Sequence, residues 1–116
     1  MNINRLSSSF VLIVFSVAAA HASVFGDVKG TVLDPQQRPL VAAKVSLLSR
    51  TSSFSRTTVT DSDGGFSFRA VPIGEYTVTV ESSGFSRSTL ALIVLSDRTT
   101  SLSVQLKIAP VSRVRP

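Results

Sequence analysis

Asp61-Ser62-Asp63-Gly64-Gly65-Phe66-Ser67-Phe68-Arg69-Ala70-Val71-Pro72-Ile73-Gly74-Glu75-Tyr76-Thr77-Val78-Thr79-Val80 compresses a turn, a strand, a second turn and a second strand into one short stretch. Phe66 and Phe68 flank Ser67, and Tyr76, Val78 and Val80 alternate with Thr77 and Thr79. Period-two alternation marks strands with one buried and one wet face. In the first turn the Asp61 and Asp63 side chains can bond the backbone ahead of them, while Gly64 and Gly65 accept positive φ. This predicts an Asx-type turn that orders a hairpin. In the second turn Pro72 presets φ and Gly74 follows two residues on.

The same signals extend in both directions. Residues 27–34 alternate Val28, Gly30 and Val32 against Lys29, Thr31 and Leu33. A loop follows, bounded by Pro35 and Pro39, which deny ladder hydrogen bonds. A strand is expected within 40–49, with Val45 and Leu47 inward, then a polar connection, then a Thr-rich strand over 56–60. Residues 85–95 suggest a sixth strand, whose Leu90–Leu95 run reads as buried on both faces or nearly so. Residues 99–108 suggest a seventh. Seven short strands with closely spaced turns predict an all-β fold, a seven-stranded antiparallel β-sandwich.

Residues 1–22 read as a secretory signal peptide. Arg5 supplies positive charge, residues 10–20 are apolar apart from Ser16, and Ala20-His21-Ala22 is an A-x-A cleavage site. The run is shorter than the roughly 17–25 residues a membrane span needs. The expected division is 1–22 signal peptide, 23–108 sandwich domain and 109–116 linker or tail. The expected location is the periplasm or outer membrane, or outside the cell. Cleavage removes His21, leaving a chain without His, Cys, Trp or Met. Ser-His-Asp and Cys-His catalysis then lack their parts, and so does a His/Cys zinc site. The mature chain has eleven basic and seven acidic residues, a net of +4. The basic residues are scattered and not interleaved with aromatics, which argues against a nucleic-acid surface.

In its order of motifs the chain resembles the carboxypeptidase regulatory-like domain, also called the peptidase-associated or transthyretin-like module. The resemblance rests on Gly30-Thr31-Val32-Leu33-Asp34, Pro39-Leu40, Val45-Ser46-Leu47, Thr60 through Phe68, Pro72 through Val80, and Gly84-Phe85. Val41-Ala42-Ala43 stands where the family often has Pro-Gly. The resemblance implies a carbohydrate-binding-like sandwich without catalytic residues of its own. Such modules accompany metallocarboxypeptidases, whose zinc ligands lie in another domain. They also follow the signal peptide of TonB-dependent outer-membrane receptors, which is the arrangement expected here.

The candidate motifs are few. Asp61-x-Asp63-Gly64 looks like the start of a calcium loop, but the twelfth position is Pro72, where an acidic ligand is needed. Glu75 and Glu81 share one strand face at about 20 Å, beyond the roughly 5–9.5 Å of glycosidase carboxylates. Tyr76 has core parity. Phe54, in a polar loop and followed shortly by Arg56, is the candidate for an exposed aromatic that contacts a ligand or partner. No catalytic, metal-binding or cofactor-binding residue is assigned. Asp61, Asp63, Gly64, Gly65, Pro72 and Gly74 are assigned to turns. The expected role is a non-catalytic exported module contacting a protein partner or an adjacent receptor domain. The alternative is a stand-alone carbohydrate-binding module that takes polysaccharide. An exposed aromatic platform would favour carbohydrate, and a polar sheet with a bare edge would favour strand addition.

Overall fold

The computed structural model describes residues 24–110, so the predicted signal peptide and residues 111–116 of the predicted tail lie outside it. The described chain is all-β. Its strands are β1 (Phe25–Leu33), β2 (Lys44–Ser49), β3 (Ser55–Val59), β4 (Gly65–Pro72), β5 (Gly74–Glu81), β6 (Ser88–Val94) and β7 (Thr99–Gln105). They form two sheets, one ordered β4-β1-β7 and the other β3-β2-β5-β6. No helix among the described residues is long and apolar enough to cross a membrane.

Alternating side chains from both sheets meet in a single core. Val28 and Val32 enter from β1, Val45 and Leu47 from β2, Phe66 and Phe68 from β4, and Tyr76, Val78 and Val80 from β5. Each is at most 6% exposed. Gly30 lies beneath the Phe66 ring, where a Cβ would sit 2.6 Å from Cζ. The Tyr76 hydroxyl donates to the Pro72 carbonyl at 2.8 Å, so the one buried phenol is satisfied.

Four features differ from the sequence reading. β1 and β7 pair in parallel, whereas the other pairings are antiparallel. Alternation of side chains reports burial and carries no information on strand direction. The Asp61 turn does not make a hairpin, because β3 and β4 lie in different sheets; the Ile73 turn likewise joins strands of different sheets, β4 and β5. Both turns are corners that carry the chain across the sandwich. The Leu90–Leu95 run is not buried on both faces. β6 is an edge strand, with Leu92 and Val94 inward and Ile93 56% exposed. Finally, of Gly64 and Gly65 in the Asp61 turn, only Gly64 has positive φ, at 73°.

The loops are tied by side chains near in sequence. Asp34 Oδ1 accepts from the N–H groups of Gln36 and Arg38, each at 2.8 Å. The Arg38 backbone bond above all holds the Asp34 carboxyl below its usual 3.8. Asp61 Oδ1 accepts from Asp63 and Gly65 N–H, each at 2.9 Å, which is the Asx turn expected. Thr60, buried at the end of β3, donates its hydroxyl to Leu40 O and accepts from Ala43 N–H. These bonds hold a bulge in which Ala42 has φ 61°.

Candidate functional site

The structure brings Phe54 and Arg56 together but does not leave Phe54 as an open platform. Phe54 is half-buried and packs edge-on against Tyr76, with ring centroids 5.9 Å apart. Arg56 covers it, with Cζ 4.9 Å from the ring centroid. The same guanidinium donates to the Arg69 carbonyl at 2.6 Å. Phe54 and Arg56 therefore seal one side of the sandwich, linking the rim of β3 to the rim of β4. Asp61, Asp63, Gly64 and Gly65 sit in the corner between these strands. Pro72 and Gly74 end β4 and begin β5 at the opposite end of β4.

Two features escaped the sequence reading. The first is the free edge of β3. Ser49 N–H donates to Phe54 O and Thr60 N–H to Ala43 O. With the regular register between β2 and β3, these bonds fix residues 54, 56, 58 and 60 as those facing β2. The alternation of antiparallel pairing then turns the N–H and C=O groups of Ser55, Thr57 and Val59 outward. No backbone partner faces them among the described residues.

The other edges are covered at particular points. β4 carries Ala70 at φ 53°, whose N–H is taken by Asp27 Oδ1 at 3.0 Å, and ends in Pro72, which has no N–H. β6 and β7 are joined beyond their ends by the Phe85–Ile108 bridge and the Ser86 N–H to Lys107 O bond. Thr100 Oγ1 adds a bond to the Ile93 carbonyl at 3.2 Å. Natural sheets commonly blunt such edges against unwanted pairing. β3, like β6 and β7, has no proline, glycine, lysine or bulge, and unlike them it has no bridge beyond its end to the other sheet's edge strand; its Val59 is 58% exposed.

The second feature is a hollow of about 510 Å³ at the end of the β4-β1-β7 sheet. Phe25, Asp27, Arg69, Asp97, Arg98 and Thr99 line it. Phe25 is 47% exposed, and neither Arg69 nor Arg98 forms a salt bridge among the described residues. Ala70 and Asp97, both at positive φ, also border it. These residues are spread over three segments, so no local motif announces the hollow.

Comparison with solved structures places the fold in varied company. The Bacillus anthracis TIE protein matches with a TM-score of 0.64 and 21% identity over 73% of this chain, but the match covers only 17% of that protein. Catechol 1,2-dioxygenase from Pseudomonas arvilla C-1 matches with a TM-score of 0.64 and 12% identity, over 84% of this chain and 58% of the enzyme. A candidate carbohydrate binding protein from Pseudomonas aeruginosa matches with a TM-score of 0.58 and 16% identity, over 76% of this chain and 92% of that one. At these identities the likeness is one of fold, and a shared fold hosts unrelated functions. No match was found among curated proteins. The sequence itself is more specific. Residues 27–107, which take in every strand but the first two residues of β1, match the carboxypeptidase regulatory-like domain, and the chain belongs to that regulatory, non-catalytic family.

Proposed function

We propose that this chain is an exported, non-catalytic accessory module, the N-terminal domain of a TonB-dependent outer-membrane receptor or a fragment related to one, that makes protein contacts by strand addition. The bare edge of β3 carries the reading. Main-chain groups in register supply affinity for an added strand, and the exposed side chains of β3 supply selectivity. The covering of Phe54 by Arg56 supports it further, because this loop aromatic, a candidate for stacking on a sugar, is engaged within the fold. The apolar segment with its A-x-A site supports export.

A second reading, carbohydrate binding, is favoured by the hollow at the sheet end. A half-exposed aromatic ring, two carboxylates, two guanidinium groups and a hydroxyl are the groups that bind a sugar ring and its hydroxyls. The Pseudomonas aeruginosa neighbour supports it at the level of fold. Amide NMR separates the readings. Extended peptides should perturb Ser55, Thr57 and Val59, whereas soluble oligosaccharides should leave the chain unchanged. A glycan that binds at micromolar strength and shifts Asp27, Arg69 and Arg98, with β3 silent to every peptide, would replace the first reading by the second.

A further inference from the structure

We propose that the segment added to the free edge of β3 carries a basic residue, lysine or arginine, whose side chain descends from that sheet onto the edge of β4 in the other. The inference rests on the strand-addition reading and names the chemistry of its partner. β3 and β4 belong to different sheets but meet at one side of the sandwich. The edge of β4 is partly bare as well. Val32 N–H donates to Gly64 O at 2.8 Å. The register between β1 and β4 then turns Gly64, Phe66 and Phe68 toward β1, and Gly65, Ser67 and Arg69 outward. Asp61 satisfies Gly65: Oδ1 accepts from its N–H, and the Asp61 N–H donates to its carbonyl. The Arg69 carbonyl accepts from the Arg56 guanidinium at 2.6 Å. Between them, the Ser67 carbonyl has no partner among the described residues.

Arg56 shows what such a carbonyl accepts. It starts on β3 in one sheet and reaches the edge of the other, where its guanidinium meets a main-chain oxygen. A strand laid along β3 places the residue opposite Thr58 on the same face as Thr58, so its side chain takes the same path. That path ends in a hollow of about 510 Å³ lined by Thr58 of β3, Ser67 of β4, and Asp61 and Asp63 of the corner. Lys29 lines it too, so two carboxylates face one ammonium and the hollow favours a further cation. Neither aspartate nor Lys29 forms a salt bridge among the described residues. An acidic side chain in this place would meet like charge. An apolar one would cover the Ser67 carbonyl without bonding it. The edge of β3 gives affinity for any extended chain, and the hollow selects among such chains by charge.

Amide NMR titration of the full chain with a pair of short peptides tests this. Both are extended runs of threonine and valine, one with a central arginine and its twin with glutamate in that place. The arginine peptide should shift Ser55, Thr57 and Val59 together with Ser67 and Asp63. It should bind at least about tenfold more tightly than its twin. Asp61→Asn keeps an oxygen that can hold the corner, so a chain carrying Asp61→Asn and Asp63→Asn should fold and lose most of this preference. Asp63→Lys changes an exposed side chain outside the bonds of the turn, and it should abolish the preference even if the double variant fails to fold. Added salt should shrink it. Equal binding of the two peptides, or a preference that survives Asp63→Lys, overturns the basic partner and leaves strand addition standing. Silence of Ser55, Thr57 and Val59 toward both peptides overturns strand addition and this inference with it.

Discussion

β3 and β5 flank the same strand, pair with it in the same antiparallel sense and are both rich in threonine, yet one is an edge and the other a centre. β5 alternates Tyr76, Val78 and Val80 inward with Glu75, Thr77 and Thr79 outward. β3 offers Arg56 and Thr58 at the corresponding inward parity, and none of its residues is fully buried. The difference lies in the pattern rather than in strand propensity. A strand without an apolar face gains little from being covered, so the fold leaves it at the rim, where its free backbone can serve contacts.

The sharpest way to break the comparison is to empty β5. Tyr76→Ala removes a ring that is 2% exposed, and it should cost about 3–5 kcal/mol in chemical denaturation. Next in size is the buried hydroxyl that closes the end of β3. Thr60→Val strands the Ala43 N–H and Leu40 carbonyl, for an expected loss of about 1–3 kcal/mol, with faster amide exchange at Ala43.

Tyr76→Phe is gentler. It forfeits the bond to Pro72 O at about 1 kcal/mol. It also has a pH signature. Burial raises the Tyr76 hydroxyl above its usual 10.0, with the charge of Arg56 opposing. A raised phenol favours the neutral form in the fold, so its contribution is complete below about pH 10 and declines above it. Tyr76→Phe should lack that alkaline decline in thermal melts.

Acid acts away from both strands. The Asp34 carboxyl is lowered in the fold, so its contribution is full above about pH 4 and fades as pH falls below that value. Asp34→Asn should flatten this part of the stability profile. Smallest of all is Val59→Thr on the outward face of β3, which should change stability by no more than about 0.5 kcal/mol. A large loss there would mean that β3 is more than a rim.

Much of this architecture was legible in residue order. Val28, Val45, Leu47, Phe66, Phe68 and Tyr76 could be placed inward from alternation alone, because the strand repeat of two residues is a local property of the backbone. The Asp61 turn was legible because the carboxylate bonds amides within four residues. Phe54 was misjudged as exposed, since its cover comes from Tyr76 and from the later-arriving Arg56. Ile93 was misjudged as buried, since an apolar run does not reveal that its strand will lie at an edge.

The chain's own residues thus determined where strands run, which side chains point inward and where the backbone bends. Tertiary structure alone decided which strands are neighbours, that β7 lies parallel to β1, that the Asp61 and Ile73 turns are corners between sheets, and that three distant segments meet around Arg69 and Arg98. The first set depends on hydrogen bonds and sterics within a few residues. The second depends on which of many possible long-range pairings buries the most apolar surface, a comparison that only the assembled sandwich makes.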